Sequence, residues 1–363
     1  MEQYSGFTYE VMEGKGIRIL SIDKHEEYVS VPAYIQDLPV LELGAYALED
    51  SCVREIHLPE FLQRIGRYAF YNCERLERLQ LYGSLKDVGT GAFTGVHRVH
   101  QIHLTLNGEE EKLTVLQELL SDFAETIQVT LFYDLGPGRQ REIRLLFPEY
   151  YEQGVENTPA RIIVNQFFGT GMKYRNCFTG RQLVYEEYDK LFPLAAAGER
   201  RELVQELALT RLQWPWKLSD GHRQVYLDWL AEHSREILKD LIRDRNLDRI
   251  RFLLEHAAIP KEIQDESALY CSQQGFAAAV PLFMMRRDAA NAKVEEVGLE
   301  EEAKVTEAKL ETEAELAEAG IEAEKVGSET GTTVEAPVPE EASVSDNSRA
   351  GFVIASSFDL DEI

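Results

Sequence analysis

Long apolar runs are missing from this 363-residue chain. No stretch of 18 or more apolar residues occurs, so no transmembrane helix is expected. The opening segment, MEQYSGFTYEVMEGKG, lacks the basic and apolar regions of a secretory signal, and the expected location is the cytoplasm. Cysteine is scarce, with four in all. Cys52 and Cys73 fall at matching places in adjacent repeats, so a bridge between them is geometrically allowed, but small buried thiols are the expectation. Positive charge is also short: 38 Lys and Arg stand against 64 Asp and Glu. From Asp288 onward there are 21 acidic and 5 basic residues, and the preceding part carries 43 and 33. Such a balance argues against a basic surface for nucleic acid and against docking on anionic lipid.

A catalytic constellation is missing as well. Gly136-Pro137-Gly138 and Gly169-Thr170-Gly171 do not continue into a phosphate-binding loop and read as turns. Cys177 has His222, His233 and His256 downstream, without the local surroundings of a thiol nucleophile. His97, His100 and His103 are spaced by three, whereas ligands on one strand face need a spacing of two. The pairs Glu186-Glu187 and Glu149/Glu152 read as solvated faces, and Trp214-Pro215-Trp216 as a helix junction. No catalytic residue, cofactor or metal is therefore expected, and the chain does not read as an enzyme.

What the chain does have is a repeat. LGAYALEDSCVREIHL, IGRYAFYNCERLERLQL and VGTGAFTGVHRVHQIHL run from Leu43 to Leu104, and Gly44, Gly66 and Gly89 set steps of 22 and 23 residues. Ala47, Ala69 and Ala92 come third after each glycine, and Leu48, Phe70 and Phe93 fourth. Each copy closes on an alternating pair: Ile56/Leu58, Leu79/Leu81 and Ile102/Leu104. Alternation points those two side chains inward from a short strand, and a single copy cannot bury its own apolar face, so the copies must stack. The pattern resembles the BspA-type leucine-rich repeats, Ile-Gly-x-x-Ala-Phe-x-x-Cys-x-x-Leu-x-x-Ile-x-Leu. The copy from Ile65 to Leu81 follows it almost position by position, and the likeness covers about the first 105 residues. For exported members the resemblance implies surface adhesion.

The remaining chain divides by pattern. Residues 1–40, with strands at Phe7–Val11 and Ile17–Ile22, read as cap strands of the solenoid, and 41–105 as its repeats. Residues 106–198 read as a small α+β unit: a helix through Leu113, Leu116, Leu119, Leu120 and Phe123, then strands at Ile127–Tyr133 and Glu142–Phe147. Residues 199–287 read as helical. Within 234–286 a step of 29 relates Leu241 to Tyr270, Leu247 to Phe276, and Leu253-Leu254 to Leu282-Phe283, which resembles degenerate ankyrin repeats, although Pro281 sits where the last helix should run. Residues 288–345 read as a disordered acidic linker, and 346–363 as a short docking peptide. The expected fold class is thus α+β: a leucine-rich repeat solenoid, a small α+β unit, an all-helical ankyrin-like region and an acidic tail.

Function is then expected from surface. The leading expectation is a non-catalytic scaffold that binds other proteins, with Glu55, His57, Arg78, Gln80, Gln101 and His103 as a polar contact ladder along the stack. The main alternative is an enzyme with its site in 105–198 around Tyr174, Arg175, Cys177 and Arg181, the repeats serving as targeting arms.

Overall fold

The computed structural model describes residues 2–13, 16–108, 115–157 and 162–284. The expected linker at 288–345 and the segment 346–363 lie outside these residues, as does Leu113. Met1–Asn291 make one compact unit.

Each repeat contributes one strand to each of two sheets. The alternating pairs form the ladder sheet, whose parallel strands are Tyr28–Ser30, Glu55–His57, Arg78–Tyr82, Gln101–Asn107 and Ile127–Asp134. The second sheet runs through Glu2–Tyr4, Phe7–Val11, Ile17–Ile22, Leu38–Leu43, Arg64–Ile65 and Asp87–Val88. Its first three strands are antiparallel, and they close that end of the sheet.

The core between the sheets is built of columns. Val29, Ile56, Leu79, Ile102 and Val129 lie in register on successive rungs and are all buried. The rings of Phe70 and Phe93 stack at 4.9 Å between centroids, and Phe93 meets Phe123 at 5.1 Å. Aromatic pairs of this geometry add to their burial.

The turn segments explain the repeat glycines. A Cβ on Gly66 would stand 2.5 Å from the carbonyl carbon of Gly44, and one on Gly89 2.4 Å from the nitrogen of Arg67. Neighbouring coils touch through backbone there, so only glycine fits. Each coil then makes two left-handed residues, at Tyr46, Tyr68 and Gly91 and at Asp50, Asn72 and Gly95. Only the third copy supplies glycine at both places.

The expected boundary near residue 105 does not divide the sheet. Ile127–Asp134 pairs in parallel with Gln101–Asn107 from Gln128 to Asp134, Ile102 facing Val129 and Leu104 facing Leu131. The helix Leu116–Ser121 fills the connection and buries Leu116, Leu119 and Leu120. Gln140–Phe147 returns antiparallel through the turn at Gly136 to Gly138 and ends the sheet. Its outer edge is covered: the Tyr188 hydroxyl donates to the Leu146 carbonyl at 2.6 Å and accepts from the Leu146 amide at 3.2 Å. A polar side chain on an edge strand removes a site for unwanted pairing. Tyr151–Asn157 and Ile162–Phe168 form a separate two-stranded ribbon.

The helical part follows with Tyr185–Lys190, Phe192–Gly198, Arg201–Gln213, Asp220–Glu232, Ser234–Arg243, Leu247–His256 and Lys261–Gln273. The helix turns recur at a step of 30, so the expected step of 29 is one residue short and Leu241 corresponds to Cys271, not Tyr270. One pair of helices turns at Arg245 and the other at Gly275, both left-handed. The same closing bond recurs, from the Asn246 amide to the Leu241 carbonyl at 2.9 Å and from the Phe276 amide to the Cys271 carbonyl at 2.8 Å, as in a Schellman cap. Pro281 falls in the first turn of the resumed helix, after a 3-10 turn at Ala277–Ala279, a place where a missing N–H costs nothing.

Candidate interaction surface

The six ladder residues come together as the spacing implies. Glu55, Arg78 and Gln101 are mutual register partners on successive strands, and so are His57, Gln80 and His103. All six are half-buried and stand on the outer face of the ladder sheet, because their neighbours Ile56, Leu79 and Ile102 turn inward.

Two halves of the ladder differ in chemistry. At one end Glu55 is internally paired: its carboxylate meets His57 Nε2 at 2.7 Å and accepts from Arg78 Nε at 2.8 Å. The hydrogen bond from His57 and then that from Arg78 hold the Glu55 carboxyl below its ordinary range. Arg54 and Glu77 pair beside it at 2.8 Å. Such half-exposed pairs fix side-chain directions more than they stabilise. At the other end Gln80 and Gln101 have no side-chain partner among the described residues. Burial, then the charge of Arg144, lowers the His103 imidazole below its ordinary value, so at neutral pH it is an uncharged donor and acceptor. Its ring lies 6.2 Å from that of Phe132.

The face extends beyond the repeats legible in the sequence. Tyr28 continues the Glu55 row at one end and Gln128 at the other. Phe132 and Tyr28, which is 62% exposed, supply apolar surface. Alternation at Ile127, Val129 and Leu131 signals a strand, but nothing in the sequence says which strand it pairs with. At this end the face meets the helical part: Arg144 lies 4.1 Å from the Trp214 ring and Arg141 3.6 Å from Trp216, so the two tryptophans join helix to sheet as expected of a junction.

The four residues named for the alternative site in 105–198 do not converge on a common pocket among the described residues. Arg175 is 1% exposed and donates to the carbonyls of Leu120 and Phe123 at 3.0 Å, Glu125 at 2.6 Å and Gly171 at 3.2 Å, as well as Pro148. It caps the exit of the helix Leu116–Ser121 instead of facing a ligand. Burial lowers its guanidinium to about 10. Tyr174 is wholly buried against Tyr188, and Arg181 pairs with Glu118 at the surface. Burial pushes the Cys177 thiol up to about 12, the reverse of an activated nucleophile.

The remaining candidates have local roles. His222 meets the capping Ser219, while His233 stacks on Trp229 and His256 on Phe252. His97 approaches Glu125 at 3.6 Å, and His100 contacts the Arg98 carbonyl. Glu186 and Glu187 share Lys190, and Glu149 pairs with Arg200. No group of three or more metal-ligating side chains occurs among the described residues.

All four cysteines are free thiols. Cys73 is buried, donates to the Leu48 carbonyl at 3.0 Å and has its thiol pushed up by burial, whereas Cys52 is half-buried. Alkylation of the folded chain with iodoacetamide is therefore expected to modify Cys52 first, with Cys73, Cys177 and Cys271 slower by about tenfold or more. Peptide mapping of the labelled sites checks this, and early labelling of Cys177 would revive the nucleophile reading.

Among known proteins, one set of crystal structures shares short segments with this chain. A leucine rich cell surface protein from Faecalibacterium prausnitzii A2-165 aligns at 13% identity over 29% of this chain and 44% of its own, with a TM-score of 0.22. The alignment thus spans less than half of that protein. The T. pallidum leucine rich repeat protein aligns at 21% identity over 30% of this chain and 75% of its own, with a TM-score of 0.20. No curated protein matches the chain. Residues 37–118, which hold the ladder and the glycine-lined turns, match the family described as the BspA type leucine rich repeat region.

Proposed function

We propose that this chain is a non-catalytic protein-binding scaffold whose contact face is the outer ladder of the solenoid. The observation that carries the reading is the register itself. Six polar side chains stand in two rows on one open face, and Gln80, Gln101 and His103 keep their hydrogen-bonding capacity for a partner. A pre-formed, rigid row of this kind loses little entropy on binding. The helix pairs from Ser234 onward, read as a degenerate ankyrin-like array, add a second surface. The acidic balance of the chain favours protein partners over nucleic acid or anionic lipid. Four free thiols support a reducing compartment, the cytoplasm.

The test is the double substitution Arg78→Glu with Gln80→Glu. Partner capture from source-cell lysate is expected to fall about tenfold or more. Stability should drop by only about 1 kcal/mol, because the carboxylate introduced at position 78 would face that of Glu55 across the strands. Capture that is unchanged, or that falls only in step with thermal stability, would contradict the assignment of the face.

A further inference from the structure

A groove lies in the helical part, lined by none of the ladder residues. The helices Phe192–Gly198 and Asp220–Glu232 leave between them a groove of about 490 Å³. Its floor is Phe192 and Trp229, whose rings meet edge to face at 6.0 Å. One wall is Ala196 and Ala197, small enough for another backbone to approach closely, and the other is Val225, 41% exposed. Phe192 is held from below by Tyr226 at 4.2 Å between centroids, so the floor is fixed and the groove is pre-formed.

The rim is charged with one sign. Asp228 and Glu232 line it one helical turn apart, both exposed, and no ammonium or guanidinium lines the groove. Asp228 accepts only a neutral amide, from Gln224 at 2.7 Å, and Glu232 forms no ion pair among the described residues. His233, the remaining polar lining group, is stacked on Trp229 at 4.3 Å with its Nδ1 at the Trp229 carbonyl.

We propose that this groove receives a basic amphipathic helix of a partner protein. One apolar side chain would insert between Ala197 and Val225 over Trp229. A Lys or Arg three or four residues along would meet Asp228 and Glu232. The chemistry is that of a helix laid in a groove, with apolar anchors setting affinity and rim charges setting orientation and choice of partner. An acidic segment would be repelled by the same rim.

The test uses the full chain and a fluorescein-labelled amphipathic helix of Leu and Lys, with a Leu/Glu counterpart, read by fluorescence anisotropy. The Leu/Lys helix is expected to bind about tenfold tighter or better than its counterpart. Ala197→Trp fills the groove without altering charge and should weaken Leu/Lys binding about tenfold, and Val225→Gln on the opposite wall should do likewise. Asp228→Asn with Glu232→Gln should erase the preference between the two peptides. General attraction of a basic peptide to an acidic chain would survive Ala197→Trp and Val225→Gln, and that result overturns the proposal. So would self-association of the chain that Ala197→Trp abolishes, which would assign the groove to a second copy. Thermal melting verifies that each variant is folded, and because the ladder is untouched, these outcomes are independent of its fate.

Discussion

Replacing Asp189 with alanine is expected to destabilise the protein by about 3–5 kcal/mol, the cost of leaving a buried charge without its partner. Asp189 and Arg211 have side chains 0% and 1% exposed, and the guanidinium grips the carboxylate in a fork, Nε to Oδ1 at 2.7 Å and Nη2 to Oδ2 at 2.9 Å. The Tyr226 hydroxyl donates to the same carboxylate at 2.9 Å, and Arg211 also donates to the Trp216 carbonyl at 2.8 Å. Three helices and the tryptophan junction therefore meet on one carboxylate. Burial alone would lower the Arg211 guanidinium, but the hydrogen bond and charge of Asp189 more than offset it and hold it above its ordinary value. Denaturant unfolding checks the loss. The double change Asp189→Leu with Arg211→Met is expected to cost less than Asp189→Ala alone, since removing both charges removes the unpaired one. A double variant as unstable as the single one would show that shape, not charge, dominates at this point.

The repeat glycines carry the second large effect. Gly66→Ala and Gly89→Ala are each expected to cost about 2–3 kcal/mol, in the range of overpacked cores. The added methyl would meet backbone of the next coil at 2.5 and 2.4 Å, and no side-chain rotation can relieve such a contact. Gly221 is the control. It lies in the helix Asp220–Glu232 with no atom within 4 Å of an added Cβ, so Gly221→Ala should stabilise by about 0.5–1 kcal/mol through helix propensity and unfolded-state entropy. Denaturant midpoints of the three variants measure the contrast. Equal effects at all three would mean that coil spacing is not set by glycine.

These two regions differ in how far the sequence discloses them. The glycines recur at a regular step because every coil needs the same close approach, so three copies in a row make the constraint visible. The ladder rows are legible for the same reason, since Glu55, Arg78 and Gln101 take one slot in successive copies. The segment from Tyr28 reads as an irregular opening coil of the stack, but Ile127–Asp134 is legible only as a strand and not as a rung. The connection before it holds the helix Leu116–Ser121 in place of the Gly-x-x-Ala-Phe turn. Strand alternation survives such a change, but the identity of the pairing partner does not. Asp189 has no local signature at all: it lies in YEEYDK among exposed carboxylates, and only the meeting of distant helices buries it. Arg175 is similar, because its partners are carbonyls, which every residue possesses and no pattern marks.

The contact role of the ladder is tested most directly by placing a photo-reactive benzophenone amino acid at position 80 of the full chain and, separately, at position 90. Gln80 stands in the middle of the outer face, whereas Thr90 follows Gly89 on the turn side of the same stack. Irradiation in source-cell lysate is expected to give a small, reproducible set of protein adducts from position 80 that is absent from position 90. The same adducts from both positions, or none from position 80, would contradict the ladder as the face that meets a partner.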